Sequence, residues 1–313
     1  MYKTLKTPLF TALLFATSLT LAQEKPLVVE TRVNSNNSVD FNYTKTDPAS
    51  YTVIVNFGSL RNTTASERQV TQASSNSGKL FSLNPSTPNL GIGYSYKYYS
   101  LRGKVLRKYN SDVQYLLPYK AGTKVRAIEA GYVPAMYFGS EMPSDWKCYN
   151  FYTSEEDTVL ATRKGVVVQV KDLYETSKPG DEAFKSAMNE ILIEHTDGTF
   201  CKYRGLKKGA FVTVGQTVLP GTPLGMNSLF HSTSRQYNIM VHLYYLSSDD
   251  IESMRDQTLK TSKSLYSSIT PHFYTKEGEN IILENRASYT AASSSDIIKK
   301  ELSKKELKNM AKN

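Results

Sequence analysis

Histidine is scarce in this sequence. Its 313 residues hold four, His195, His231, His242 and His272, so no imidazole is available ahead of residue 195. Any metal site that draws a histidine from the first half of the chain is thereby excluded. Cysteine is scarcer still: Cys148 and Cys201 are the only two, which leaves room for one disulfide at most. There is a single tryptophan, Trp146. Beyond residue 21 no apolar run approaches the roughly 20 residues of a spanning helix, so no transmembrane span is expected in the mature chain. No aromatic-basic motif of a nucleic-acid reader fold is present, and nucleic acid is not expected as a partner.

What is there begins with export. Lys3 and Lys6, an apolar run from Pro8 to Leu21, and Ala22 ahead of the first acid, Glu24, read as a secretory signal peptide over residues 1–22. The mature protein is then expected in a periplasm or outside the cell. Removing 22 of 313 residues leaves 291, enough for two domains, and takes the formal net charge from +9 to +7. That balance suits an anionic cell envelope or an acidic glycopolymer. The 22 tyrosines, with many Ser, Thr and Asn, describe a β-rich exported protein. In an oxidising compartment Cys148 and Cys201 could form a disulfide or stay as two buried thiols.

Residues 23–115 read as a small β-sandwich of five or six strands. Candidates are Leu27–Val33, Val39–Thr44, Tyr51–Phe57, Lys79–Leu83 and Ile92–Leu101, set apart by turns such as Asn34–Ser38. Residues 116–246 form a second domain. In it Thr158–Thr162 and Val166–Lys171 are expected to pair about Arg163-Lys164-Gly165, and Glu190–His195 with Thr199–Arg204 about Asp197-Gly198. Residues 172–188 look like an inserted loop with a short helix capped by Asp181. Residues 247–313 form a C-terminal extension. It has a probable helix around Asp250–Lys260, an edge hairpin about Glu277-Gly278, and a basic amphipathic helix from Asp296 to Lys312 capped by Ser295 or Asp296.

The stretch from Lys207 to Leu246 organises the second domain. Glycines at 209, 215, 221 and 225 punctuate short apolar runs, the signature of short strands joined by tight turns. From residue 238 the alternation is strict. Ile239, Val241, Leu243 and Tyr245 share a core face, and Asn238, Met240, His242 and Tyr244 share the other, which a groove would show.

Five blocks in this order resemble the lysostaphin-type, or LytM-like, peptidoglycan endopeptidases. They are Asp157-Thr158-Val159-Leu160-Ala161 with Gly165-Val166-Val167, then Ile191 to Gly198, then Tyr203-Arg204-Gly205-Leu206, then the glycine-punctuated run 212–225, then the strand 239–245. The resemblance implies a barrel-sandwich hybrid, also called a duplicated hybrid motif, over residues 116–246. Biotinyl and lipoyl carriers share that fold, but the Met-Lys-Met of a biotin carrier is absent. The family's chemistry is zinc hydrolysis, in which three protein ligands leave a fourth position for water whose pKa falls to about 7. Its ligands come from a His-x-x-x-Asp strand and from the second His of a His-x-His strand.

Carried over by position, the resemblance finds most of that site replaced. Trp146 stands for the first histidine, Asn150 for the aspartate, Gly205 for the histidine of the Tyr-x-His-Leu block, and Met240 for the first histidine of the pair. His242 alone remains. The resemblance therefore implies a groove without catalytic residues, lined by Trp146, Asn150, Tyr203, Arg204, Met240, His242 and Tyr244, with no metal and no cofactor. Its role would be to bind peptidoglycan or a wall-hydrolase partner as a regulator or scaffold. Two other readings stay open. One is an active zinc endopeptidase with unorthodox ligands drawn from Asp145, Asp157, His231 or Cys148; the other is a structural or adhesive envelope protein.

Overall fold

The computed structural model describes residues 26–132, 136, 141–175, 188–229, 236–254 and 264–310. The expected signal peptide, the loop helix after Asp181 and His231 lie outside the described residues. Among those described, the chain is mostly β, with two short helices near its C-terminus.

The first six strands are β1 (Leu27–Val33), β2 (Val39–Lys45), β3 (Tyr51–Arg61), β4 (Arg68–Ala73), β5 (Ser77–Leu83) and β6 (Gly93–Arg102). They make two three-stranded antiparallel sheets, ordered β1-β2-β5 and β4-β3-β6. Alternation drives the packing: Val39, Phe41 and Tyr43 of β2 face Tyr51, Val53, Val55 and Phe57 of β3 across one core. The other face of β3 is buried as well, because Ile54 packs on Leu246, Ile251 and Leu265 from far along the chain. Strand β4 was not expected from the sequence. Its Arg68-Gln69-Val70-Thr71-Gln72 keeps five of six residues exposed or half-exposed, so it carries almost no apolar pattern.

The larger body is a nine-stranded antiparallel sheet with two smaller sheets closed against it. In chain order the strands of these three sheets begin with β7 (Gln114–Leu116), β8 (Lys124–Glu129), β9 (Cys148–Thr153), β10 (Thr158–Leu160), β11 (Gly165–Lys171), β12 (Asn189–Glu194) and β13 (Phe200–Leu206). They are followed by β14 (Thr217–Val218), β15 (Pro223–Met226), β16 (Tyr237–Leu246), β17 (Tyr266–Ser268), β18 (His272–Thr275), β19 (Gly278–Ile281) and β20 (Ser288–Thr290). The main order is β14-β11-β12-β13-β16-β9-β8-β20, with β17 also paired to β16. The small sheets are β10-β15 and β19-β18-β7. The glycine-punctuated run yields β14 and β15, with Gly215 and Gly221 at φ 89° and 88° in the turns that bound β14, where a side chain would be strained.

Inside this body the inward residues of the main sheet, among them Phe151, Ile193, Tyr203, Ile239 and Val241, meet Val159 and Leu224 of the β10-β15 sheet. Phe273, Leu283 and Ala291 complete the same core, so the chain after residue 246 is built into it.

Two expectations are corrected here. The segments about Arg163-Lys164-Gly165 do not pair with each other: β10 pairs with β15, and β11 with β12 and β14. Arg163 is 3% exposed and held by Asp197 and Glu301, so the chain crosses between two sheets instead of turning back. The basic C-terminal helix is likewise two helices, α1 (Ser295–Lys299), capped by Ser294, and α2 (Lys304–Met310). Glu301 between them accepts from the Arg163 guanidinium, and Lys164 bonds both the Glu301 carbonyl (2.9 Å) and Glu306 (2.8 Å), which breaks the helix and docks the tail. The hairpin about Asp197-Gly198 is present between β12 and β13. His195 N–H donates to the Thr199 carbonyl at 2.8 Å, and Gly198 sits at φ 84°.

Candidate functional site

Strand period places the groove. Along β16, Met240, His242 and Tyr244 point away from the core, and their neighbours on the flanking strands do the same. In register, Arg204–Met240–Asn150 form one row across β13, β16 and β9, and Lys202–His242–Cys148 form the next. Phe200–Tyr244–Ser268 form a third, across β13, β16 and β17. Six of the seven expected groove residues therefore lie on this face or at its margin.

Tyr203 is the exception. It pairs with Val241 on the core face, is fully buried, and accepts the Thr162 N–H at 2.8 Å. The reason is elementary: adjacent residues of a strand point to opposite faces, so Tyr203 and Arg204 could not both line one groove. The same rule excludes a disulfide. Cys148 sits on the groove face opposite His242, whereas Cys201 sits on the core face opposite Leu243, with β16 between their strands. Both thiols are free and buried, and burial pushes each up to about 12.

The rows differ in chemistry. Asn150 is almost completely buried, and its side-chain carbonyl oxygen has no partner among the described residues. Arg204 Nε stands 3.2 Å from a Glu190 carboxylate oxygen, an ion pair without hydrogen-bond alignment. Trp146, just ahead of β9, donates its indole N–H to the Ala130 carbonyl at 2.8 Å. Its ring lies between Tyr132 and His242, at centroid distances of 4.9 and 4.8 Å. His242 Nε2 is 3.0 Å from the Ser268 hydroxyl. Burial, reinforced by the positive charges of Lys202 and Arg204, pushes its pKa down to about 4. Tyr244 stacks on Phe200 at 5.5 Å and meets Tyr266 edge-on at 5.5 Å.

Of the expected groove residues, Trp146, His242 and Tyr244 line a cavity of about 370 Å³ together with Tyr266, Lys202 and Asp145, whereas Asn150, Arg204 and Met240 are not part of its lining. One end is closed by the N-terminal sandwich. Arg102 at the end of β6 donates to the Gln169 side-chain oxygen at 2.6 Å while holding Asp47 at 2.8 Å. Ser50 N–H donates to the Glu194 carboxylate at 2.8 Å. Val168, Leu192 and Phe200 of the main sheet belong to the sandwich core. Sequence reasoning named neither Lys202 nor Arg102. Counting by two from Arg204 would have put Lys202 on the groove face; Arg102, nearly a hundred residues away, carried no local signal.

The donor set does not fit a zinc ion. Among the described residues no three His, Cys, Asp or Glu side chains converge on one point. His242 is flanked by Lys202 and Arg204, which repel a dication. Beside it stand a carboxamide, a thioether and a thiol whose proton is held tightly. Of the substitutes considered, Asp145 accepts the Ser268 N–H at 3.0 Å. Asp157 is engaged elsewhere, with Thr123 at 3.1 Å.

No protein-family model and no curated protein matches this chain. Among solved structures it is similar to an M23 metalloprotease, pseudoalterin, described as novel and from the deep sea. The identity is 16%, over 58% of this chain and 97% of that one, at a TM-score of 0.30. It is also similar to a putative M23 peptidase from Pseudomonas aeruginosa, at 10% identity over 61% of this chain and 82% of that one, with a TM-score of 0.26.

Proposed function

We propose that this chain is an exported, catalytically inactive relative of the lysostaphin-type endopeptidases that binds cell-wall peptidoglycan through the β9-β16-β13 face and acts as a regulator or scaffold for wall hydrolysis. The observation that carries this reading is the identity of the residues in the three rows. Where a hydrolase of that family would gather imidazoles and a carboxylate, this face gathers an indole, a carboxamide, a thioether and two cations about one neutral imidazole. Aromatic walls and unpaired polar atoms suit stacking on sugars and hydrogen bonding to an extended peptide. The basic balance of the chain favours an anionic envelope. A wall-hydrolase protein as the partner would use the same face.

Two measurements on the exported chain test this. Elemental analysis without added metal is expected to find zinc well below one equivalent, and incubation with purified sacculi is expected to retain the protein without releasing peptides. Trp146→Ala should lose most of that retention. Tightly held stoichiometric zinc together with cleavage of wall peptides would overturn the reading.

A further inference from the structure

We infer that the cavity between Trp146 and Tyr266 is a subsite for a ligand bearing a single carboxylate, with the Lys202 ammonium as its counter-charge and the aromatic walls covering its carbon skeleton. This rests on the wall-binding reading of the same face and names what that face would hold.

Lys202 carries the inference. Its position on β13, in register with His242, points it at the cavity floor. No acid among the described residues lies within ion-pair distance of it, whereas the neighbouring cations each have one, Glu190 at 3.2 Å from Arg204 and Asp47 at 2.8 Å from Arg102. Its ammonium stands over the Tyr244 ring, 5.7 Å from Nζ to the centroid. Burial lowers its pKa; the Glu190 carboxylate, which stands by Arg204, opposes this in part, and the positive charges of Arg204 and Arg102 reinforce it. A half-buried ammonium that gives up water and gains no contact ion pair, only the Glu190 charge shared with Arg204, is a cost to the fold. Such a cost is expected where a binding partner supplies the missing charge.

The rest of the cavity sets the ligand class. Its volume, about 370 Å³, is at the small end of ligand pockets and fits a monosaccharide or a dipeptide, not a polymer segment. One unpaired cation matches one negative charge. A phosphate dianion would need a second, and the neutral His242 does not provide it. Asp145, which also lines the cavity and accepts the Ser268 N–H, leaves an acceptor for a hydroxyl or amide donor of the ligand and sets the carboxylate on the Lys202 side. Within the wall, two sources carry this chemistry: an acidic amino sugar and the free carboxyl end of a stem peptide.

Calorimetric titration of the full exported chain separates them. The ligands are N-acetylmuramic acid against N-acetylglucosamine, D-alanyl-D-alanine against its C-terminal amide, and inorganic phosphate. At least one acid is expected to bind about tenfold or more tightly than its uncharged counterpart, since a charge-assisted hydrogen bond is worth that much. Lys202→Met should remove the difference while raising the midpoint of thermal unfolding. The acid that binds identifies the source. Acids and neutral counterparts binding alike, or phosphate binding best, would overturn the inference. Retention on sacculi with no titratable acid would sink the subsite and leave the wall-binding reading standing. An acid bound through Lys202 by a protein that sacculi do not retain would do the reverse.

Discussion

Trp146 rests against His242, ring centroid to ring centroid 4.8 Å, so the indole covers the imidazole that faces the Ser268 hydroxyl. Burial and the neighbouring cations hold this ring neutral down to about pH 4. His195 shares the property for a related reason. It is buried in the turn after β12, its Nδ1 lies 2.7 Å from the Lys164 carbonyl, and its Nε2 has no partner among the described residues. Its pKa is also pushed down to about 4, chiefly by burial and then by Arg163.

The fold should therefore lose stability in mild acid. Each ring takes its proton near pH 4 when folded and near pH 6.5 when unfolded, so between these values the unfolded chain binds more protons and stability falls with falling pH. The contribution is complete above about pH 6.5 and gone below about pH 4, and is at most about 3 kcal/mol per ring. Urea unfolding at intervals from pH 7 to 4 checks this. His242→Gln should flatten the curve in that window; an unchanged slope would refute the assignment of His242.

The two cysteines give a second expectation. Because Cys148 and Cys201 point to opposite faces of one sheet, the protein purified without reductant should release two thiols per chain on denaturation and none while folded. Reductant should leave the unfolding midpoint unchanged. A midpoint that falls in dithiothreitol would show a cross-link and a different strand register.

Much of this could be read from the sequence, and the failures have common causes. Strict alternation made β16 legible almost to the residue, and β1 and β2 were legible as short β-prone runs set apart by the Asn34–Ser38 turn. Strand β4 has no buried face of its own to speak of and left no trace. The expected hairpin at Arg163 failed because pairing there is decided by β14, β15 and the acids Asp197 and Glu301, all distant in sequence. Tyr203 was misplaced by ignoring the period of two. The closing of the groove by Arg102 and Ser50 depends on how one body docks on another, which no local pattern encodes.

Arg163 supplies a third prediction. Its guanidinium is buried between Asp197 at 2.9 Å and Glu301, with Tyr115 and Thr199 hydroxyls at 3.3 Å. Arg163→Ala should cost about 3–5 kcal/mol, because it strands two partly buried carboxylates rather than merely deleting a pair. Glu301→Gln should cost far less yet free the tail, seen as faster tryptic cleavage at Lys299 and Lys300. If the Ala variant unfolds at the parent's urea midpoint, the tail is not held as described.

The proposed correspondence between this face and a zinc site can be tested by running it backwards. Asn150 stands beside Met240 on the groove face, one row from His242, and the Trp146 ring already touches the imidazole. Trp146→His with Asn150→Asp would therefore add an imidazole and a carboxylate next to His242, the three-ligand set that leaves a coordination position for water. The double substitution alone should bind zinc weakly, since Lys202 and Arg204 still oppose a dication and hold His242 in an electropositive setting. Adding Lys202→Gln removes the nearer charge, and the triple variant is expected to hold about one equivalent of zinc through dialysis, while the parent holds none. Circular dichroism distinguishes failure to bind from failure to fold. A folded triple variant that takes up no zinc would mean that Trp146 and Asn150 do not occupy ligand positions, and the proposed descent of this groove from a hydrolytic site would fall with them.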